Sequence, residues 1–419
     1  MSRYPNVALF VLSLWLVSAS QAQPVVLKAA RLLDVETGRL VAPAALVVED
    51  GRIAAVNAAR IPAGAEVIDL GDMTLLPGLM DMHTHLTFAL EGDWVHDGVV
   101  KTPADLALMG AYNARKTLMA GITTVRDVGS VGFADVSLAR AIDAGQVDGP
   151  SIFPAGHSIG ITGGHCDATG YAPGILESGP EAGIADGPDE ATKAVRYQIK
   201  HGAKVIKICA TAGVLSFEGP VGAQQLSAEE MRAIVEEAGR HGLKVAAHAH
   251  GSDGILAAVR AGVASIEHGS ILTDEIIAEM KQRGTYLVPT THLVDAIDME
   301  MLPPPIRRKA EEVTPLAVAS LKKAIAAGVP IAMGTDATVM PHGDNMLEFV
   351  AMVDRGMAPL EAIRSGTTHA ADLLGVADRG RLAEGLRADI IAVRGNPLED
   401  IRALETVPFV MKGGVVYKK

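Results

Sequence analysis

Short apolar segments recur through the middle of the chain, and most begin directly after a glycine that closes a helical pattern. These junctions lie at Gly121, Gly202, Gly242, Gly262, Gly284 and Gly328. Glycine favours the left-handed conformation that ends many helices, so each junction predicts a helix followed by a strand. The segments lack strict alternation, which is typical of parallel strands covered on both faces. With strands predicted before His83 and at residues 151–155, the total is about eight, which predicts a (β/α)8 TIM barrel. An open, doubly wound sheet is the alternative.

The two ends of the chain have a different pattern. Strand-like segments joined by tight turns occupy residues 45–56, 388–393 and 409–417. The first of these contains an Asp-Gly pair, which is typical of a hairpin turn. We therefore predict an α/β protein in which a barrel, residues 77–370, is inserted into a small β-sandwich domain. Residues 23–76 and 371–419 would form that domain together.

The first residues are predicted to be a signal peptide rather than part of the fold. Arg3 precedes an apolar stretch at residues 7–17, and small residues follow up to Ala22. This order predicts a signal peptide over residues 1–22 and cleavage before Gln23. The mature protein would then be exported, to the periplasm or out of the cell, without a stable membrane anchor. The apolar stretch is short for a membrane span. An uncleaved anchor is the alternative.

Composition and charge narrow the class of protein. Hydrophobic residues make up 49% of the chain, which argues against disorder. The net charge of −12 argues against nucleic-acid binding. Cys166 and Cys209 are the two cysteines, and export would permit a disulfide between them. Because Cys209 follows Lys207 on the same side of a predicted strand, the favoured interpretation is a small buried thiol.

Polar residues close several of the apolar segments. A His-x-His motif, His83 and His85, ends the first, and in a strand these side chains share one side. Further segments end in Lys207, His248, His268 and Asp336. Since the ends of barrel strands converge on one face, we expect all these side chains to meet. Nitrogen and oxygen ligands of this kind suit Zn²⁺ or a similar ion. Hydrogen-bonded histidines near a turn are the alternative for His-x-His alone.

Lys207 is the unusual member of this set. A free ammonium has no lone pair and would repel a cation. Reaction with CO₂ would give a carbamate, an anion whose two oxygens can bridge two metals. The alternative is a lysine paired with a carboxylate such as Asp336.

The ordered set of motifs resembles the amidohydrolase superfamily, in particular its binuclear type with a carbamylated lysine. The motifs are Pro-Gly-x-x-Asp-x-His-x-His at 77–85, the lysine and histidines above, and Gly-Thr-Asp at 334–336. A closer resemblance is to prolidase-like and Xaa-Arg(Lys) dipeptidases and to ochratoxin-degrading amidohydrolases. It rests on Thr-Gly-Gly-His at 162–165, His-Ala-His-Gly at 248–251, Ile-Glu-His-Gly at 266–269 and Pro-His-Gly-Asp-Asn at 341–345.

The resemblance implies a role for each matching residue. One metal would be held by His83, His85 and Asp336, the other by His248 and His268, with carbamylated Lys207 as the bridge. Metal-bound hydroxide would attack the amide, and Asp336 would pass the proton to the leaving amine. His165 and His250 would contact substrate. The alternatives are loop packing for His165 and support of a ligand for His250. His157 and His342 are weaker candidates.

The resemblance also implies an activity. It is the metal-dependent release of a C-terminal amino acid from dipeptides or N-acyl amino acids, with ochratoxin-type amides included. Zinc is favoured for the two divalent ions, while Co²⁺ and Mn²⁺ also suit the ligands. A homo-oligomer is implied as well. The alternatives are hydrolysis of lactones or cyclic amides, and a non-catalytic scaffold of the same fold. Deaminases and imidazolonepropionases generally use one metal and a glutamate close after the histidine that corresponds to His248. They are disfavoured because Gly251 stands three residues after His248 and because Lys207 is present.

Overall fold

The computed structural model describes residues 23–88 and 94–419, so the predicted signal peptide lies outside the described residues. The strands are β1 Val25–Ala29, β2 Arg31–Asp34, β3 Arg39–Val41, β4 Ala44–Glu49, β5 Arg52–Val56, β6 Glu66–Asp69, β7 Met73–Pro77, β8 Leu79–Thr84, β9 Ile122–Asp127, β10 Ser151–Pro154, β11 Ile206–Cys209, β12 Val245–Ala249, β13 Ser265–His268, β14 Tyr286–Val288, β15 Ile390–Arg394, β16 Phe409–Lys412 and β17 Val415–Lys418. The helices are α1 Trp94–Val100, α2 Pro103–Met119, α3 Ala134–Asp143, α4 Pro188–His201, α5 Ala228–Arg240, α6 Ser252–Ala261, α7 Asp274–Arg283, α8 Leu293–Ala296, α9 Pro304–Ala327, α10 Leu347–Asp354, α11 Pro359–Ser365 and α12 Thr368–Leu374.

The middle of the chain alternates helix and strand, as the sequence predicts. Its strands form two parallel sheets, one in the order β10-β9-β8 and one in the order β11-β12-β13-β14. Helices α4, α6, α7 and α9 each end at a glycine with left-handed backbone. The glycine signal therefore identified these helix ends correctly. Within the described part of the chain, no helix is long and apolar enough to cross a membrane.

Main-chain hydrogen bonds also connect the two parallel sheets. Near β10, the Ile159 amide donates to the Lys207 carbonyl at 2.8 Å, and the Cys209 amide donates to the Ile159 carbonyl at 2.9 Å. On the other side, residues 330–336 run between β14 and β8. There Ala332 donates to the Leu287 carbonyl at 3.0 Å, and Asp336 donates to the His83 carbonyl at 2.8 Å. These bonds place Asp336 beside His83.

The segment before Asp336 was predicted to be a strand, and it forms one isolated bridge, at Ile331, instead. The physical reason is a competing acceptor. The Thr335 amide donates to the buried carboxylate of Asp81 at 3.1 Å, and the Thr335 hydroxyl donates to the same carboxylate at 2.7 Å. This amide is therefore withdrawn from a strand ladder, and the chain turns sharply at Asp336.

Both ends of the chain contribute to a six-stranded sheet in the order β17-β16-β15-β7-β2-β3. Next to it lies a four-stranded sheet in the order β5-β4-β1-β6. Buried residues of both sheets form one apolar cluster, which includes Leu27, Leu46, Leu75 and Phe409. β7 continues into β8 through Gly78, where a Cβ would lie 2.3 Å from the Thr123 hydroxyl oxygen. This tight junction leads the chain directly into the strand that carries His83.

Candidate metal centre

The side chains predicted at the strand ends meet at one end of the barrel-like domain. The Lys207 Nζ lies 3.5 Å from His83 Nε2. Asp336 Oδ1 lies 3.5 Å from His83 Nε2 and 3.6 Å from His85 Nε2. All of them line a cavity of about 850 Å³, together with His248 and His268. The structure therefore brings together every residue that the sequence analysis assigned to a metal.

Two groups of side chains have the spacing of a metal site. One is His83, His268 and Asp336, and the other is His248, His250 and His268; within each group the candidate ligand atoms lie within 4.8 Å of one another. His268 belongs to both groups and so lies between them. His250, which was predicted to contact substrate, falls within the second group. Its ring stacks on that of His268 with centroids 4.8 Å apart.

Hydrogen bonds fix which ring nitrogen of these histidines faces the centre. The Nδ1 atom contacts Glu267 in His83, the Gly129 carbonyl in His85, Ser270 in His250 and Thr290 in His268. A carboxylate or a carbonyl can only accept, so Nδ1 of His83 and His85 carries the proton. Their Nε2 lone pairs are then free to bind a cation, as in many metal sites.

An unpaired buried atom gives a second reason to assign a ligand here. The Nε2 of His248 is buried and has no hydrogen-bond partner in the structure. Buried polar atoms are rarely left unpaired, and such an atom needs a specific explanation. A divalent cation would supply that partner. The donor set, rich in imidazole and completed by a carboxylate, fits Zn²⁺ or a similar ion.

Burial keeps the histidines neutral. It lowers the pKa of His83, His248 and His268 well below the usual value, and Lys207 adds to the effect. Burial also lowers the pKa of His85 and His250 to about 3. Neutral imidazole is the form that binds a metal, so the site is ready for one at neutral pH.

Burial also disfavours the charged form of the two other ionisable groups of the centre, Asp336 and Lys207. It raises the pKa of Asp336 to about 6, against the influence of Lys207. It lowers the pKa of Lys207 to about 8, against Glu267 and Asp336. Both groups can therefore change their protonation within reach of neutral pH.

The sequence analysis missed an ion pair beneath the centre. Arg126 of β9 and Glu267 of β13 are at most 2% exposed, and their side chains meet at 2.8 Å. Glu267 also contacts His83 Nδ1 at 2.8 Å, and Arg126 Nε donates to the Met82 carbonyl at 2.6 Å. The available signal was a charged residue inside each of two apolar strands. Such a residue needs a partner when it is buried.

Several residues at the centre have unusual backbone conformations. His268, Thr290 and Asp336 have φ angles of 68°, 47° and 58°. This left-handed region is strained for residues other than glycine, and strain of this kind clusters at functional sites. His268, the last residue of β13, and Asp336 thereby point into the cavity.

His165 lies in the cavity wall, on the loop that follows β10. Its ring lies against that of His248, with centroids 4.2 Å apart and an angle of 29°. His165 Nδ1 contacts Ser216 Oγ at 3.0 Å and Glu218 Oε1 at 3.1 Å. Of the weaker candidates, His157 also lines the cavity, but its ring nitrogens contact Gln198 and the Gly132 amide. His342 is buried.

The same loop carries a disulfide, so the interpretation of Cys209 as a buried thiol is wrong. Cys166 and Cys209 are bonded, with their Cα atoms 5.9 Å apart. The reason is the path of the loop. The chain after β10 pairs with β11 at Ile159 and Ile208, and this brings Cys166 over the end of β11. Both cysteines line the cavity.

Away from the histidines, the cavity wall is largely apolar. Part of it comes from α8 and α9, which contribute Leu293, Val294 and Val313, and part from the loop residues Tyr171 and Leu176. A small molecule with a polar reacting group and an apolar body fits these surroundings.

Comparisons with known proteins agree with this geometry. The Amidohydrolase family model matches residues 74–417. Ochratoxinase of Aspergillus niger is 37% identical over 370 residues, which cover 82% of this chain and 75% of that protein. A crystal structure of a Xaa-Pro dipeptidase with methionine bound in its active site has a TM-score of 0.90 and 38% identity, over 95% of this chain and 100% of that one.

A crystal structure of the A. niger ochratoxinase has a TM-score of 0.83 and 34% identity, over 95% of this chain and 96% of that one. These similarities imply a TIM-barrel-like α/β domain. The family is typically metal-dependent, and the histidine and aspartate groups above could bind metal. The chain therefore belongs to the amidohydrolase family and is a hydrolase that acts on carbon–nitrogen bonds.

Proposed function

We propose that the chain is a binuclear metal-dependent amide hydrolase that releases a C-terminal amino acid from dipeptides or N-acyl amino acids. The observation that carries the proposal is the pair of ligand groups that share His268, with Lys207 beside His83. The similarity to ochratoxinase and to a Xaa-Pro dipeptidase supports this substrate class, including ochratoxin-type amides. A crystal structure of a prolidase complexed with N-methylphosphonate-L-proline, which is 31% identical, supports it too.

Each ion has a proposed set of ligands. His83, His85 and Asp336 would hold one ion, and His248 and His268 the other, with Lys207 bridging them as a carbamate. Zinc is favoured by the imidazole-rich set. Lys207 suits the carbamate because burial lowers its pKa to about 8, which leaves part of the amine neutral and able to react with CO₂. Divalent ions held there would polarise the scissile carbonyl and lower the pKa of water.

The protein's own groups would perform the remaining steps. Asp336 takes a proton from the attacking water and returns it to the leaving amine. Without a bound ion, burial raises the pKa of Asp336 to about 6. A bound divalent ion would lower that pKa and keep the carboxylate ready to accept the proton. His250 follows the end of β12, two residues beyond His248, and is assigned to the substrate together with His165. These two side chains would orient the carboxylate or the scissile carbonyl.

The finer features of the architecture are also proposals. They are a complete (β/α)8 barrel over residues 77–370 and a β-sandwich of residues 23–76 with 371–419. The hydrogen bonds of Ile159 and of residues 330–336 support the first, and the shared six-stranded sheet supports the second. We also propose export with cleavage before Gln23, which intact-mass measurement of the mature protein tests. A homo-oligomer follows from the family resemblance.

Paired substrates test the proposed function. An N-acyl amino acid is compared with the same compound amidated at its carboxylate, using protein whose metal content has been measured. We expect about two ions per chain and a large loss of kcat/KM on amidation. A change within about threefold, under ~1 kcal/mol of transition-state binding, would favour hydrolysis of lactones or cyclic amides. If His250 binds the carboxylate, His250→Ala should weaken hydrolysis of the free acid and leave the amidated compound unaffected.

A further inference from the structure

Lys309 lies in the second turn of α9, next to Ala310 of the cavity wall and outside the proposed ligand groups. Its Nζ donates to three backbone carbonyls, those of Gly213 at 3.3 Å, Ser216 at 2.9 Å and Glu218 at 2.9 Å. An ammonium has three N–H donors, so these contacts use all of them. Lys309 therefore ties residues 213–218 to α9 and has no donor left for a substrate.

The segment that Lys309 holds is the one that orients His165. Glu218 and Ser216 both contact His165 Nδ1, and the Ser216 hydroxyl donates to Glu218 at 2.5 Å. Since a carboxylate only accepts, Nδ1 of His165 carries a proton and points at Glu218. The direction of the His165 ring thus depends on where residues 213–218 lie.

Gly213 presses directly on the same ring. A Cβ at Gly213 would lie 2.2 Å from Cε1 of His165 and 2.4 Å from its Nδ1, so no larger residue fits there. The ring of His248 also lies against His165, with centroids 4.2 Å apart. His165 is therefore confined by a proposed ligand and by a backbone segment that Lys309 secures.

The backbone of His165 is held separately. Its amide donates to Gln225 Oε1 at 3.0 Å, and the next residue, Cys166, is bonded to Cys209. These contacts fix where the residue sits, while residues 213–218 fix which way its ring faces. Loss of the Lys309 contacts would thus leave the backbone of His165 in place, while residues 213–218 would no longer hold its ring in one orientation.

We propose that Lys309 is a positioning residue that sets the orientation of His165 by holding residues 213–218 against α9. The kinetic part of this proposal rests on the proposed function, in which His165 contacts substrate. A different role, direct binding of the substrate's carboxylate by Lys309, is the competing account. The two accounts differ in whether the effect of Lys309 passes through His165.

The test compares Lys309→Met with Lys322→Met, which removes an exposed lysine from the same helix. Hydrogen exchange is measured on the full metal-loaded protein, with peptides covering residues 161–167 and 211–218. In Lys309→Met we expect exchange in residues 211–218 to quicken about tenfold, because the three hydrogen bonds that hold this segment are lost. Residues 161–167 should exchange as in the wild type, because Gln225 and the disulfide hold their backbone. Lys322→Met should leave both segments unchanged. Unchanged exchange of residues 211–218 in Lys309→Met would overturn the proposal.

Kinetics with an N-acyl amino acid provide the second arm. Lys309→Met should lower kcat/KM about tenfold, mainly by raising KM, because a group that orients substrate becomes mobile. In the His165→Ala background the same substitution should change kcat/KM by less than about twofold. If Lys309→Met lowers kcat/KM by the same factor with and without His165, Lys309 acts on the substrate itself. If the wild-type protein hydrolyses no acyl amino acid, the proposed function fails, and the exchange measurement still decides the role of Lys309.

Discussion

Neutralising Glu267 should destabilise the protein strongly even though it lies outside the proposed ligand set. Glu267 is fully buried and its carboxylate contacts Arg126 at 2.8 Å and His83 at 2.8 Å. In Glu267→Gln the guanidinium of Arg126 keeps its charge and loses its carboxylate partner. Removing one partner of a buried pair leaves an uncompensated charge and costs about 3–5 kcal/mol.

A double variant separates the charge from the packing. Arg126→Met alone leaves the Glu267 carboxylate without its main counter-charge, so it should cost a similar amount. In Arg126→Met/Glu267→Gln neither charge remains, and replacing a buried pair with neutral groups is often close to neutral in free energy. We therefore expect the loss in the double variant to be smaller than the sum of the single losses by at least about 2 kcal/mol.

The assay is equilibrium urea unfolding of the metal-free protein, with midpoints compared at a common slope. Using the metal-free form separates the ion pair from metal affinity. A matched metal titration should then show that Glu267→Gln also weakens binding by about 10–100-fold, because His83 loses its orienting carboxylate. A loss of stability under ~1 kcal/mol for Glu267→Gln, or fully additive losses, would refute the reasoning about a buried charge.

Other predictions concern Lys207 and the disulfide. The Lys207→Ala variant should be inactive because it lacks the bridging group, and added small carboxylates should restore part of the activity. Undiminished turnover of this variant without added carboxylate would show that Lys207 is structural. Because burial lowers the pKa of Lys207 to about 8, its neutral amine should rise from roughly 10% at pH 7 to about 90% at pH 9. Metal reconstitution of the stripped protein at a fixed concentration of dissolved CO₂ should accelerate over that range, and a flat profile would contradict the carbamate. The Cys166–Cys209 disulfide spans 43 residues, so Cys166→Ser/Cys209→Ser should lose about 4 kcal/mol in urea unfolding. An unchanged urea midpoint in this variant, together with a wild-type midpoint that reductant does not change, would contradict a stabilising disulfide.

Much of the site could be predicted because the barrel architecture itself brings strand ends together. His83, Lys207 and His248 are far apart in the sequence, yet each ends or lies in a strand of the barrel-like domain. One rule about where parallel strands end was enough to place them at a common face. The left-handed turn at Asp336 could not be predicted, because it depends on Asp81 capturing the Thr335 amide.

The contacts that were missed depend on pairings between distant segments. Arg126 and Glu267 are 141 residues apart, and nothing in the local pattern identifies each as the other's partner. The disulfide was missed for a related reason. Its geometry follows from the fold of the loop after β10, whereas hydrophobic periodicity describes only the strand that contains Cys209.

The left-handed backbone at His268, Thr290 and Asp336 has a consequence for attempts to make the protein more heat-resistant. Each of these residues carries a conformational strain of about 1–3 kcal/mol, and Thr290 is β-branched, the least tolerant class. Glycine would relieve that strain, at an entropic cost of roughly 0.5–1 kcal/mol. A library of variants selected only for heat resistance would therefore enrich glycine at these three positions. The side chains proposed to bind metal would be among the first to be lost. If these three residues are kept unchanged, the same selection can find stabilising substitutions elsewhere in the protein.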